Sequence, residues 1–173
     1  MAAAAVIEAV PGFNEIVRRQ QSMVFGIAYH FLQDRALAEE LAQEVFLQLY
    51  QHLDEMESAA HVTYWLRRVT GNRCIDYARK RKLRPKIGLD EVPEPSTQPT
   101  FGDPLLRQAL NRLVASLPEK QRMVMIMRYQ EDLDPAEIAE TLAMPVRTVK
   151  SHLQRSLAML RTKLARAIGV ENV

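Results

Sequence analysis

The chain has 173 residues with 47% hydrophobic and 25% charged side chains, a balance that excludes a disordered polymer and suits one ordinary domain or two small ones. Aromatics are only 6%, while the strong helix formers Leu, Ala, Arg and Glu are abundant, with Met and Gln adding to them, so helices are favoured throughout and the expected class is all-α. The net charge of +2 says little about partners, but the charge is strongly blocked along the chain, and that segregation is informative.

The start, MAAAAVIEAVPGF, has neither a basic n-region nor a long apolar core, so no secretory leader is expected. No window approaches the ~18–20 apolar residues of a membrane span, which points to a cytoplasmic protein without membrane insertion. Phe13, Ile16, Val17, Val24, Ile27, Ala28 and Phe31 share one side of a first amphipathic helix. After a turn at Asp34 or its neighbours, a second helix over about 35–51 turns Leu37, Leu41, Val45, Phe46 and Leu49 inward and Glu40, Gln43, Glu44, Gln48 and Gln51 outward. A polar loop near 52–60 leads to a third helix beginning around His61, with Val62, Trp65, Leu66 and Val69 inward. Gly71 weakens its middle by up to ~1 kcal/mol relative to alanine, which leaves room for a bend.

Residues 31–60 carry seven acids against Arg35, whereas 61–84 carry eight bases against Asp76. One helical module thus offers an acidic and a basic surface side by side. The basic side, interleaved with Tyr64, Trp65 and Tyr77, suits a nucleic-acid strand, although Trp65 at helical spacing also fits a core position. Cys74 is alone, so no internal disulfide can form, and packing is its expected role.

Residues 84–104 hold five of the nine prolines, Pro85, Pro93, Pro95, Pro99 and Pro104, and no periodicity survives there. This reads as a linker between two small helical domains, 10–83 and 105–169. Its acids Asp90, Glu91, Glu94 and Asp103 outnumber Lys86.

The second domain carries a helix-turn-helix. Asp134 caps, Pro135 fits the first helical position, and Glu137 completes an Asp-x-x-Glu capping box. Met144-Pro145 interrupts the helix. A second helix follows, with Val149, Leu153, Leu157, Leu160 and Leu164 inward. Arg147, Lys150, Ser151, Gln154 and Arg155 share its opposite face, where side chains can reach phosphates and base edges in a major groove. Residues 131–140 contain acids and no base, and 145–168 bases and no acid, a separation unlike a face built only for solubility. His30, His52, His61 and His152 make no metal-ligand spacing, and no phosphate loop or nucleophile elbow is present, so no cofactor, metal, small-molecule substrate or catalytic residue is expected.

AEELAQEVFLQLY (38–50), YWLRRVTGNRCIDYARKRK (64–82) and SLPEKQRMVMIMRYQEDLDPAEIAETLAMPVRTVKSHLQRSLAMLR (116–161), in that order, resemble bacterial sigma factors of the extracytoplasmic-function group, which keep only the sigma-2 and sigma-4 domains. The resemblance implies core RNA polymerase, through its β′ clamp and β flap, and promoter DNA as partners, with an anti-sigma factor as regulator. It implies that Glu40, Leu41, Gln43, Glu44, Phe46 and Gln48 meet the polymerase. It also implies that His61, Trp65, Arg67, Arg68, Asn72, Arg73, Arg79, Lys80 and Arg81 engage the −10 element, with a base of the non-template strand flipped into a pocket near 52–63. Extraction of a base costs a few kcal/mol of unstacking, which a pocket and a positive groove must offset. Arg147, Thr148, Lys150, Ser151, Gln154 and Arg155 would read the −35 element, and the acidic linker would thread toward the polymerase cleft. The 52–63 loop departs from the family in lacking a phenylalanine, and Met144-Pro145 replaces a polar cap. With the chain ending at Val173, no fused sensory domain is expected.

Two rivals belong to other classes. A stand-alone helix-turn-helix regulator fits TVKSHL but calls for a dimer interface or receiver domain. An adaptor using only the acidic helix leaves both basic faces unexplained.

Overall fold

A computed structural model of the chain describes residues 9–83 and 104–168. The proposed linker, Pro104 excepted, lies outside the described residues, as does its acidic excess. Seven α-helices run in the order α1 (Phe13–Leu32), α2 (Arg35–Gln51), α3 (Ala59–Leu83), α4 (Pro104–Ala115), α5 (Glu119–Tyr129), α6 (Pro135–Thr141) and α7 (Val146–Ile168), with a 3₁₀ turn at Leu53–Glu55 and no strand among the described residues.

Local chemistry places the boundaries. Helix α1 ends where Gln33 turns left-handed at φ 55°, its amide donating to the Tyr29 carbonyl. Asp34 then caps α2, accepting from the Leu37 amide at 3.0 Å. Helix α3 starts two residues earlier than its periodicity predicts, because Ser58 Oγ accepts from the His61 amide at 3.1 Å. It runs unbroken through Gly71. The glycine is not a hinge: it is buried where α3 faces the second module, and a Cβ there would stand 3.2 Å from both Leu142 Cδ2 and Met127 Cε. Helices α4 and α5 complete the second module around the helix-turn-helix.

Ile16, Val24, Ile27 and Phe31 of α1 pack on Leu41, Val45 and Leu49 of α2 and on Val62, Leu66 and Cys74 of α3. The same core continues into Met123, Val124, Met127, Ile138 and Leu142 of the second module. Each such large side chain contributes roughly 1.5–3 kcal/mol on full burial. Desolvation pushes the Cys74 thiol up to about 12, so it is a packing group with no thiolate character. No described helix is long and apolar enough to cross a membrane.

Candidate functional site

Three surfaces carry the candidate residues. On α2, Glu40, Gln43 and Glu44 are exposed and Gln48 is half-buried, while Leu41 and Phe46 are only 7% and 8% exposed and serve the core. Two large apolar side chains that binary patterning alone does not single out, Leu47 and Tyr50, stand out at 65% and 64%. Leu47 joins Phe13, Val17, Phe25, Gln43 and Phe46 around a groove of about 710 Å³ between α1 and α2. An apolar floor rimmed by Glu39 and the amides of Gln21 and Gln43 suits a protein partner more than a nucleic acid.

Helix α3 divides its bases among different tasks. The Arg73 guanidinium reaches back to α2: Nε and Nη2 donate to Gln48 Oε1 at 3.2 and 3.0 Å, and Nη1 pairs with the Glu44 carboxylate. Arg73 therefore belongs with the α2 surface and helps orient Glu44 and Gln48. Arg67 turns to the second module, its Nε donating to Glu131 Oε2 at 3.1 Å. Arg68 Nη1 donates to Tyr64 Oη at 3.0 Å. Trp65 is half-buried with its ring centroid 6.1 Å from that of His52, so its fit to the core and its placement beside the turn between α2 and α3 hold together. His61 accepts from the Glu57 amide through Nδ1 at 3.2 Å, which closes the turn into α3. Asn72, Arg79, Lys80 and Arg81 are exposed.

The helix-turn-helix is built as its residues predict. Asp134 Oδ1 accepts from the Ala136 and Glu137 amides at 2.7 and 2.9 Å, and Glu137 Oε2 accepts from the Asp134 amide at 2.8 Å. The chain reverses through Ala143 at φ 50°, and the Thr148 and Val149 amides fold back on the Pro145 carbonyl. Val149 and Ser156 are fully buried, which fixes the rotation of α7. Arg147, Lys150, Gln154 and Arg155 therefore face outward, with Thr148 and Ser151 half-buried beside them. That is the face a recognition helix offers to a major groove. No cluster of His, Cys, Asp and Glu that could hold a metal occurs among the described residues.

A family model described as Sigma-70 region 2 matches residues 16–84, and one described as Sigma-70, region 4 matches residues 107–160. The RNA polymerase sigma-E factor of Streptomyces avermitilis is 31% identical over 88% of this chain and 84% of its own length. The chain belongs to the sigma-70 family. Among its relatives is the ECF RNA polymerase sigma factor SigW of Bacillus subtilis, 28% identical over 88% of each chain, and the sigma factor falls in that ECF group. Two solved structures share the fold of the sigma factor. RpoE of Bartonella quintana, in complex with the anti-sigma factor NepR, has a TM-score of 0.71 at 18% identity, covering 92% of this chain and 98% of that one. CnrH, in complex with the cytosolic domain of CnrY, has a TM-score of 0.67 at 19% identity, covering 89% and 88%. As a sigma factor, the protein serves RNA polymerase in transcription initiation.

Proposed function

We propose that the sigma factor divides promoter recognition between its two modules. Residues 10–83 bind core RNA polymerase through α2 and engage the −10 element through α3. Residues 84–104 link the modules, and 105–169 read the −35 element through α7. The observation that carries this reading is the pairing of two unlike surfaces in one chain: an apolar, acid-rimmed α2 beside a basic α3, and a capped helix-turn-helix with an outward basic face. Polymerase performs the chemistry, the sigma factor supplies binding surfaces, and the site of action is the cytoplasm. The complexes of the two structural relatives with NepR and the cytosolic domain of CnrY support an anti-sigma factor as a regulator of this chain too.

Run-off transcription with purified core enzyme on a randomised promoter library tests the whole assignment. Wild type should yield transcripts sharing two short elements, and Glu40→Lys should lose core binding while keeping its helicity. Specific duplex binding with no effect on core polymerase would instead make the protein a stand-alone regulator.

A further inference from the structure

The second module lays two carboxylates on α3. Glu131, with its side chain only 8% exposed, receives Arg67. Glu119 pairs with Lys82, and that hydrogen bond holds its carboxyl below the usual range. About one turn before Arg67, Tyr64 Oη donates to the Glu140 carbonyl at 3.3 Å. From Tyr64 to Lys82 these contacts track α3 over about 27 Å. Beneath them Gly71 admits Leu142, Met127 and Met123, and Gly26 of α1 meets the Gln130 side chain. The contact is charge-complementary along its rim and apolar at its centre, as a specific interface is.

We propose that the acidic face of the second module is an intramolecular stand-in for a nucleic-acid strand. Glu131 and Glu119 occupy on Arg67 and Lys82 the positions that phosphates of a single strand take when the promoter is open. The proposal rests on the reading that α3 is the strand-binding helix. Carboxylates and phosphates present the same charge-assisted acceptors to a guanidinium or ammonium, so one set of bases can serve only one of them at a time. The closed chain therefore binds a single strand with its affinity reduced by the fraction of molecules in which the modules are apart. Strand capture and separation of the modules become one event. The two modules are then free to span separate promoter elements only when the α3 face has exchanged carboxylate for phosphate.

The experiment uses the full chain, a fluorescein-labelled single-stranded 15-mer of mixed sequence, and an energy-transfer dye pair placed on α1 and α7. Glu119→Gln with Glu131→Gln should part the dyes and tighten strand binding by at least about tenfold. Glu15→Gln with Glu39→Gln makes the same change of charge on α1 and α2, away from the contact, and should tighten binding by no more than about twofold. Gly71→Leu parts the modules by bulk with no change of charge and should reproduce the gain of the Glu119 and Glu131 pair. If the two glutamine pairs tighten binding equally, or if Gly71→Leu parts the dyes without tightening it, strand mimicry is wrong. Arg79→Ala with Arg81→Ala separates the underlying reading: these α3 bases are exposed in the closed chain, and their loss should weaken binding in every background. Unchanged binding in that variant would show that α3 is not the strand track at all.

Discussion

Arg122 Nη1 donates to the Phe31 carbonyl at 3.0 Å, and its guanidinium carbon lies 4.8 Å from the centroid of the Phe31 ring. The same guanidinium takes the Ala115 and Leu117 carbonyls through Nη2, so one side chain joins the end of α1, the end of α4 and the start of α5. Burial lowers its affinity for a proton, and Glu119 partly offsets that. A planar fork serves three carbonyls and a ring face at once, which an ammonium cannot do.

Arg122→Ala strands those carbonyls and is expected to destabilise the chain by about 3 kcal/mol, given that hydrogen bonds to charged groups contribute about 1.5–3 kcal/mol. Arg122→Lys should recover less than half of the loss. Urea unfolding followed by circular dichroism measures both. A lysine variant as stable as wild type would mean that charge alone, and not the fork, holds the modules.

Ala143 carries a left-handed backbone in the turn of the helix-turn-helix, a conformation that costs a residue with a Cβ roughly 1–2 kcal/mol. Ala143→Gly removes that strain at the expense of a more flexible unfolded chain, which gives back some of the gain. The expected net effect is a stabilisation of up to about 1 kcal/mol, with DNA binding by α7 unchanged. A loss of stability on thermal unfolding would show that the Ala143 methyl packs favourably enough to outweigh its strain.

His152, on α7 between Lys150 and Arg155, has its Nδ1 buried without a partner. Burial lowers its pKa below the ordinary 6.5, and Arg155 and Lys120 lower it further. His30 is shifted the same way, by burial and then Arg107. A depressed folded value means that the stabilising contribution is complete above 6.5 and is lost as pH falls through 6.5 toward the folded value. The melting temperature should therefore decline from pH 7.5 to pH 5.5, and His152→Gln should flatten the decline. Equal slopes for the two proteins would assign it to His30 or elsewhere. Glu119 acts at lower pH: its contribution is present above 4.5 and is lost as pH falls through its own depressed value.

The parts of this fold that were legible in the sequence are those decided within four or five residues. Asp134 announces the start of α6, because a cap and its amides are near neighbours in the chain, whereas around Asp34 the sequence marks only a turn, and the structure adds that Asp34 caps α2. The apolar period of α7 likewise placed Arg147, Lys150, Gln154 and Arg155 on its outer face. The parts that were not legible depend on partners far away in sequence. Arg67 finds Glu131 at a separation of 64 residues, and Arg122 finds Phe31 at 91. Periodicity gave no reason to separate Arg73, which serves α2, from Arg68 and Arg79 on the same helix. Gly71 looked like a weak point because helix propensity counts the missing side chain and not the neighbour that fills its space.

Helix α7 offers a division of labour that binding measurements can resolve. Arg155 and Lys150 are exposed near the first turns, where recognition helices meet base edges, and the buried Val149 and Ser156 fix their direction. Arginine and lysine match the guanine edge and glutamine the adenine edge, so Arg155 and Gln154 should each favour particular bases. Arg155→Ala is expected to cost roughly 1–3 kcal/mol, concentrated at one or two positions of the −35 element. Arg161 is exposed almost two turns further along and should contribute only phosphate attraction. Its loss should weaken all sequences alike and shallow the log-affinity versus log-salt slope by ~0.9. A matrix of single-base −35 variants against wild type and both mutants measures this. A uniform loss with Arg155→Ala, together with a changed base preference for Arg161→Ala, would place the reading face further along α7.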